Sequence, residues 1–177
     1  MKKKITKVKI TNPSNACVTI EAGSEKLILD PWLKDGIYEG SWHNFPRVNN
    51  KIKSQTLNKV NFCLITHLHK DHFNIETIKK LNKKTTFLVP EVFGWQVIKN
   101  VLIKNNFKNI KILKCVDEKF ETKEFKIIAV PPLNSTGLKN KNNKDNDLSI
   151  DGGFVIINKK SSLKLVFLAD DNLYNEE

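Results

Sequence analysis

An uninterrupted apolar run, VNFCLIT at 60–66, leads directly into a segment crowded with histidine, THLHKDH at 66–72. A run with no polar alternation predicts a strand covered on both faces. The segment after it holds three of the four histidines in the chain, and the fourth, His43, lies well upstream. Beyond it, IETIKKL at 75–81 places apolar residues at 75, 78 and 81, the spacing of one helical face. Asn74 is suited to cap that helix, with Glu76 in its first turn. The order of buried strand, histidine-rich turn and helix constrains everything else.

The remaining segments supply the neighbours such a strand needs. KITKVKIT (4–11), ACVTIEAG (16–23) and KLILD (26–30) read as an antiparallel meander, with Asn-Pro-Ser-Asn as its first turn. Residues 31–58 carry Pro, Gly and several aromatics and read as an irregular loop lying on the surface. TTFLVP (85–90), NIKILKC (109–115) and FKIIAVPP (125–132) read as strands. EVFGWQVIKNVLIKNNF (91–107) reads as a helix with Val97, Val101 and Leu102 on its apolar side. LKNKNNKDND (138–147) is polar, low-complexity sequence of the loop type. GGFVIIN (152–158) and LKLVFLAD (163–170) pair as a hairpin. Interspersed strands and helices with early hairpins predict an α/β fold of mixed sheets covered by helices on at least one side.

Composition excludes several classes. The chain has 177 residues, enough for one domain with a real core. No apolar run approaches the roughly 20 residues needed to span a bilayer. The basic N-terminus has no apolar stretch of the signal-peptide kind after it, so the expected location is the cytoplasm. Three cysteines, far apart and each in an apolar segment, predict buried reduced thiols. The net charge of +11 invites a nucleic-acid partner, yet Arg47 is the single arginine among 30 basic residues. Arginine is the usual tool for bidentate phosphate and base contacts, so a lysine and asparagine bias of the whole sequence is the better reading.

The chemistry sits in residues 66–72. Side chains alternate at the end of a strand, so His67 and His69 fall on one side. Neutral imidazole binds Zn²⁺ or Fe at ordinary pH. Asp71 and His72 follow where the chain turns, and they approach the same place from a different backbone direction. Two offset pairs of ligands suit two metal positions better than one closed tetrahedron.

THLHKDH matches the T/S-H-x-H-x-D-H pattern of the metallo-β-lactamase superfamily. LILDPWL (27–33) resembles the segment bearing the early aspartate of that superfamily, and VFLADDNLY (166–174) resembles its later strand with a terminal aspartate. The DPWL wording, followed by GSW at 40–42, is most similar to the branch of ascorbate-6-phosphate lactonase-like and CMP-sialate hydroxylase-like proteins. The resemblance covers essentially the whole chain as a single domain. It implies a four-layer αββα fold, with two sheets between helices and the metals at one edge. It implies two divalent ions, Zn or else Fe or Mn. His67 and His69 would hold the first and Asp71 and His72 the second, with Asp170, rather than Asp171, bridging. Asp30 would orient the ligand loop from behind. In hydrolytic members a metal-bound hydroxide attacks a carbonyl or phosphoryl centre, with Asp71 orienting the nucleophile. The expected substrate is a small ester, lactone, phosphorylated or sugar-like molecule.

Two departures temper this expectation. The family supplies a further histidine between the first motif and the bridging aspartate, and this sequence has none there. Asn134 is a candidate weak oxygen ligand for that place, and Asp147 is another, although both also read as ordinary loop residues. A final histidine is expected beyond Asp170, where the sequence has only seven more residues. The second half of the fold is therefore expected to be incomplete, truncated at the C-terminus, with an exposed apolar face near residues 150–170. A homo-oligomer or a partner chain would cover that face. His43 could stand at the mouth of the site, although an exposed loop histidine is the plainer reading. Trp32, Trp42 and Phe45 are expected to anchor their loop by packing. Two rival functions remain: a degenerate, non-catalytic homologue that binds metal weakly, and a nucleic-acid phosphodiesterase of the same superfamily.

Overall fold

The computed structural model describes residues 7–131 and 151–170. A six-stranded sheet runs in the order β1 (Val8–Ser14), β2 (Cys17–Ala22), β3 (Glu25–Leu29), β4 (Phe62–Leu64), β5 (Thr86–Pro90), β6 (Ile110–Leu113). The first three strands pair antiparallel, and β3 to β6 pair parallel. A second, antiparallel sheet has the order β10 (Lys164–Phe167), β9 (Gly153–Asn158), β8 (Phe125–Val130), β7 (Lys119–Glu121). Helical segments are α1 (Ile37–Gly40), a single turn, α2 (Asn50–Leu57), α3 (Ile75–Ile78) and α4 (Trp95–Lys104).

Alternation along the central strands sorts side chains between two cores. Ile28, Cys63, Phe87 and Val89 face one way and pack with Ile78 of α3 and with Ile98 and Leu102 of α4. Leu27, Leu29, Leu64 and Leu88 face the other way, onto Phe125, Ile127, Phe154 and Ile156 of the second sheet. The unbroken apolar run at 60–66 is thus buried on both faces, as its composition requires. The described residues build three layers, helices on sheet on sheet, of the expected αββα arrangement.

Several local expectations are corrected. The first turn is Asn15–Ala16, because Asn12, Pro13 and Ser14 belong to β1, whose register shifts between Thr11 and Ser14. β1 lies at the edge of its sheet, where a proline's missing N–H costs no ladder bond. Residues 31–58 include α2, capped by Asn49, whose side chain accepts the Ile52 N–H. α4 begins at Trp95, behind Gly94 in left-handed backbone, and buries Ile98 and Leu102. Val97, expected on the apolar side, is 48% exposed. α3 is shorter than its apolar spacing suggests, but Asn74 caps it, accepting the Thr77 N–H. The hairpin at 152–170 forms as read.

Candidate metal centre

Three histidines and four aspartates meet where the strands of both sheets end. Parallel pairing of Leu29 with Leu64 brings Asp30 beside the histidine segment, and the Asp30 N–H donates to the Leu64 carbonyl. Past Ile65 the chain leaves β4 and closes a turn, in which the N–H groups of His72 and Phe73 both donate to the His69 carbonyl. That turn carries Asp71 and His72 back over His67. Ring centroids lie 4.6 Å apart for His67 and His69, and 4.2 Å apart for His67 and His72.

Buried hydrogen bonds fix the rings. Asp30 Oδ1 accepts the Thr66 N–H at 2.8 Å, and its Oδ2 accepts the Thr66 hydroxyl at 2.7 Å. The same Oδ2 lies 2.9 Å from His72 Nδ1. With its proton given to Asp30, Thr66 Oγ1 is an acceptor for His67 Nδ1 at 3.0 Å. Both rings then carry a proton on Nδ1, so both Nε2 atoms face the site. Burial and the neighbouring charge of His72 push His67 below the usual histidine range. Burial pulls His72 the same way, but the Asp30 hydrogen bond and the charges of Asp30, Asp170 and Asp71 outweigh it, and its pKa rises to about 9. That electrostatic well suits a cation, and a divalent ion there would stand in place of the proton.

The second sheet contributes from the other side. Asp170 follows β10, with Oδ1 3.0 Å from His72 Nε2 and Oδ2 3.7 Å from His67 Nε2 and 3.9 Å from His69 Nδ1. It stands between the two pairs of the histidine segment. Asp71 Oδ2 lies 3.4 Å from His72 Nε2, and its Oδ1 accepts the Tyr38 hydroxyl at 3.0 Å. Asn134 and Asp147 lie outside the described residues, as does Asp171.

Asp151 is the residue that sequence reading missed. Its Oδ1 sits 3.5 Å from His67 Nε2 and is buried without a hydrogen-bond partner among the described residues. Donor atoms of His67, His69 and Asp151 lie within 4.8 Å of one another, as do those of His67, His72 and Asp170. Hairpin register explains the placement. β9 and β10 pair Phe154 with Phe167, and continuing that register sets Asp151 opposite Asp170. Gly152 and Gly153 permit the approach. A Cβ on Gly152 would meet Pro90 Cγ at 2.7 Å, and one on Gly153 would meet the Phe167 carbonyl oxygen at 2.6 Å. The signal available in the sequence was Asp-Gly-Gly ahead of a strand.

These residues fit a pair of divalent ions. Imidazole and carboxylate donors converge, their hydrogen-bonded far sides are fixed, and one carboxylate oxygen is buried without a hydrogen-bond partner among the described residues. The site opens into a cleft of about 650 Å³, lined by Trp32, Trp42, His43, Asp71, His72 and Asp170 among others. Trp32 is buried, as expected of an anchor. Trp42 is 52% exposed and Phe45 is 92% exposed, so neither packs as expected. The left-handed turn at Tyr38 and Glu39 aims their loop outward, and Trp42 meets Tyr38 edge-on at 5.2 Å. His43 is exposed on the same loop, its Nε2 2.9 Å from the Gly40 carbonyl oxygen.

The family model described as "Beta-lactamase superfamily domain" matches residues 9–170. The chain belongs to this family. Within the beta-lactamase superfamily it is similar to the cytidine monophosphate-N-acetylneuraminic acid hydroxylase of Danio rerio, 29% identical over 80 residues, which are 44% of this chain and 13% of the hydroxylase. The chain spans under a fifth of the length of the curated relatives it matches first. Among solved structures it is similar to CmlA, a diiron β-hydroxylase from Streptomyces venezuelae (TM-score 0.67, 20% identity, covering 96% of this chain and 31% of that one). It is also similar to Igni18, a metallo hydrolase from Ignicoccus hospitalis (TM-score 0.58, 18% identity, covering 96% of this chain and 63% of that one). Those likenesses show the shared fold. Among the described residues no helix is long and apolar enough to cross a membrane.

Proposed function

We propose that this chain carries the dinuclear metal centre of a hydrolase acting on a small ester, lactone or phosphorylated, sugar-like substrate. The observation that carries the reading is the convergence of His67, His69, His72, Asp71, Asp151 and Asp170, three of which (Asp71, His72 and Asp170) line one open cleft. Bound divalent ions would supply Lewis acidity, polarising the electrophile and acidifying water. His67 and His69 would serve one position and His72 with Asp71 the other, with Asp170 reaching both. Asp30 and Thr66 hold the imidazole protons at Nδ1 and keep the rings oriented. Asp71, held by the Tyr38 hydroxyl, is placed to accept a proton from a nucleophile at the cleft floor. Burial and the Asp71 contact push the Tyr38 phenol above its usual range, so it remains a proton donor to that carboxylate. The open cleft, with Trp42 and His43 at its rim, leaves room for a substrate of modest size. Cytoplasmic location belongs to the same proposal.

The test is metal analysis with turnover. Purified protein should carry about two equivalents of Zn, Fe or Mn and hydrolyse generic phosphodiester or lactone reporters. His69→Ala should lose metal and at least about a hundredfold in rate. Metal below roughly 0.3 equivalents with no turnover would favour the degenerate homologue. A second reading, hydroxylation with dioxygen, draws on the names of the CMP-sialic acid and CmlA relatives. Oxygen uptake by the Fe-loaded protein in place of hydrolysis would select it.

A further inference from the structure

The expected histidine between the first motif and Asp170 is absent from the sequence, yet the place near His67 and His69 is not bare. We propose that Asp151 is the third protein ligand of the first metal position, and that it biases this position toward the harder ions Fe(II) and Mn(II) relative to Zn(II). The inference rests on the dinuclear reading above and deepens it.

Three independent features point to Asp151. Its Oδ1 faces the His67 lone pair at 3.5 Å and is buried without a hydrogen-bond partner among the described residues. An unpartnered buried carboxylate oxygen is costly unless a cation or donor compensates it. Its approach is enforced by construction, because Gly152 lies where any Cβ would strike Pro90 of the other sheet. Its position opposite Asp170, where the hairpin register is continued past the strand ends, gives the site one carboxylate from each side of the hairpin. With Asp170, the first position then holds two imidazoles and two carboxylate oxygens. Oxygen donors favour Mn(II) and Fe(II) more than an additional imidazole would.

The experiment uses the full chain, stripped of metal and titrated separately with Zn(II), Mn(II) and Co(II). Co(II) reports its ligand set through visible absorption. Wild type should bind two equivalents of Co(II). Asp151→Asn should retain its thermal unfolding profile without metal, keep one tight equivalent, and weaken the other by about tenfold or more. Asp151→His should restore the second equivalent, alter the Co(II) spectrum, and raise the Zn-to-Mn affinity ratio by about tenfold. Two undiminished equivalents and an unchanged Co(II) spectrum in Asp151→Asn would overturn the assignment while leaving the dinuclear reading intact. A wild-type protein that binds no metal would overturn both. An Asp151→His protein with the wild-type Zn-to-Mn ratio would overturn the claim on metal preference.

Discussion

Asp30 accepts from the Thr66 N–H, the Thr66 hydroxyl and His72 Nδ1 with only two oxygens, and it does so from backbone at φ 41°. Aspartate tolerates that left-handed geometry better than most residues. In Asp30→Asn one oxygen becomes an NH₂ group, which must face a donor. Metal affinity should fall about ten- to a hundredfold, read by competition with a chromophoric chelator. Thr66→Val keeps the shape and removes the hydroxyl, so it should show a smaller loss in the same direction. Unchanged affinity in both would mean that the imidazoles need no support from behind. The histidine motif and Asp30 were legible because their chemistry is local, in a strand end and its parallel neighbour. Asp151 was not, because Asp-Gly-Gly ahead of a strand marks a close approach without saying that the hairpin register sets it beside His67. Trp42 and Phe45 misled for a related reason: large aromatics suggest burial, and only the backbone turn at Tyr38 shows that they point outward. The cysteines give a third check. Burial raises all three thiols above their usual range, most strongly at Cys17 and Cys63 and less at the half-buried Cys115. Alkylation at pH 8 should therefore label Cys115 first and reach the other two only on unfolding.

At the scale of elements, strands were easier to read than helices. β3, β4 and β5 announce themselves by composition because both their faces are buried. α2 does not, because NKIKSQTL presents almost no apolar stripe and buries only Thr56. β7 is three residues of Lys-Phe-Glu, too short for alternation to register. On α4, Leu102 is buried and Val101 packs against the core, as their apolar spacing suggests, whereas Ile98 completes the buried line and Val97 stands off it. The joint between elements that matters most for the site is Gly152 against Pro90. Gly152→Ala should force the start of β9 away from β5. The expected cost is about 1–3 kcal/mol of stability, with weaker metal binding, measured by thermal denaturation and metal titration on the same sample. If metal binding holds while stability falls, the close approach serves packing alone.

At the scale of the whole molecule, the site is a seam. His67, His69, His72 and Asp71 come from the loop after the first sheet's central strand, whereas Asp151 precedes β9 and Asp170 follows β10, adjacent strands of the second sheet. The described second sheet packs on the first through Phe125, Ile127, Phe154 and Ile156, and its outer face leaves Val166 61% exposed beside the partly covered Ile128 and Val155. Among the described residues β10 is therefore held on one edge and one face, and Asp170 lies three residues beyond its end. An ion bound by residues of both sheets binds the folded seam and not the unfolded chain, so it must stabilise the fold by mass action. At a free metal concentration a hundredfold above Kd, that linkage is worth about 2.7 kcal/mol per site. Adding metal to stripped protein should raise the melting temperature by several degrees, and a chelator should reverse the rise. In Asp151→Asn combined with Asp170→Asn the shift should shrink toward zero, because the ion then holds only the histidine loop. Hydrogen exchange locates the effect: with metal, β9 and β10 should slow more than β1 and β2. Uniform slowing across both sheets would show that the seam is already rigid without its ions.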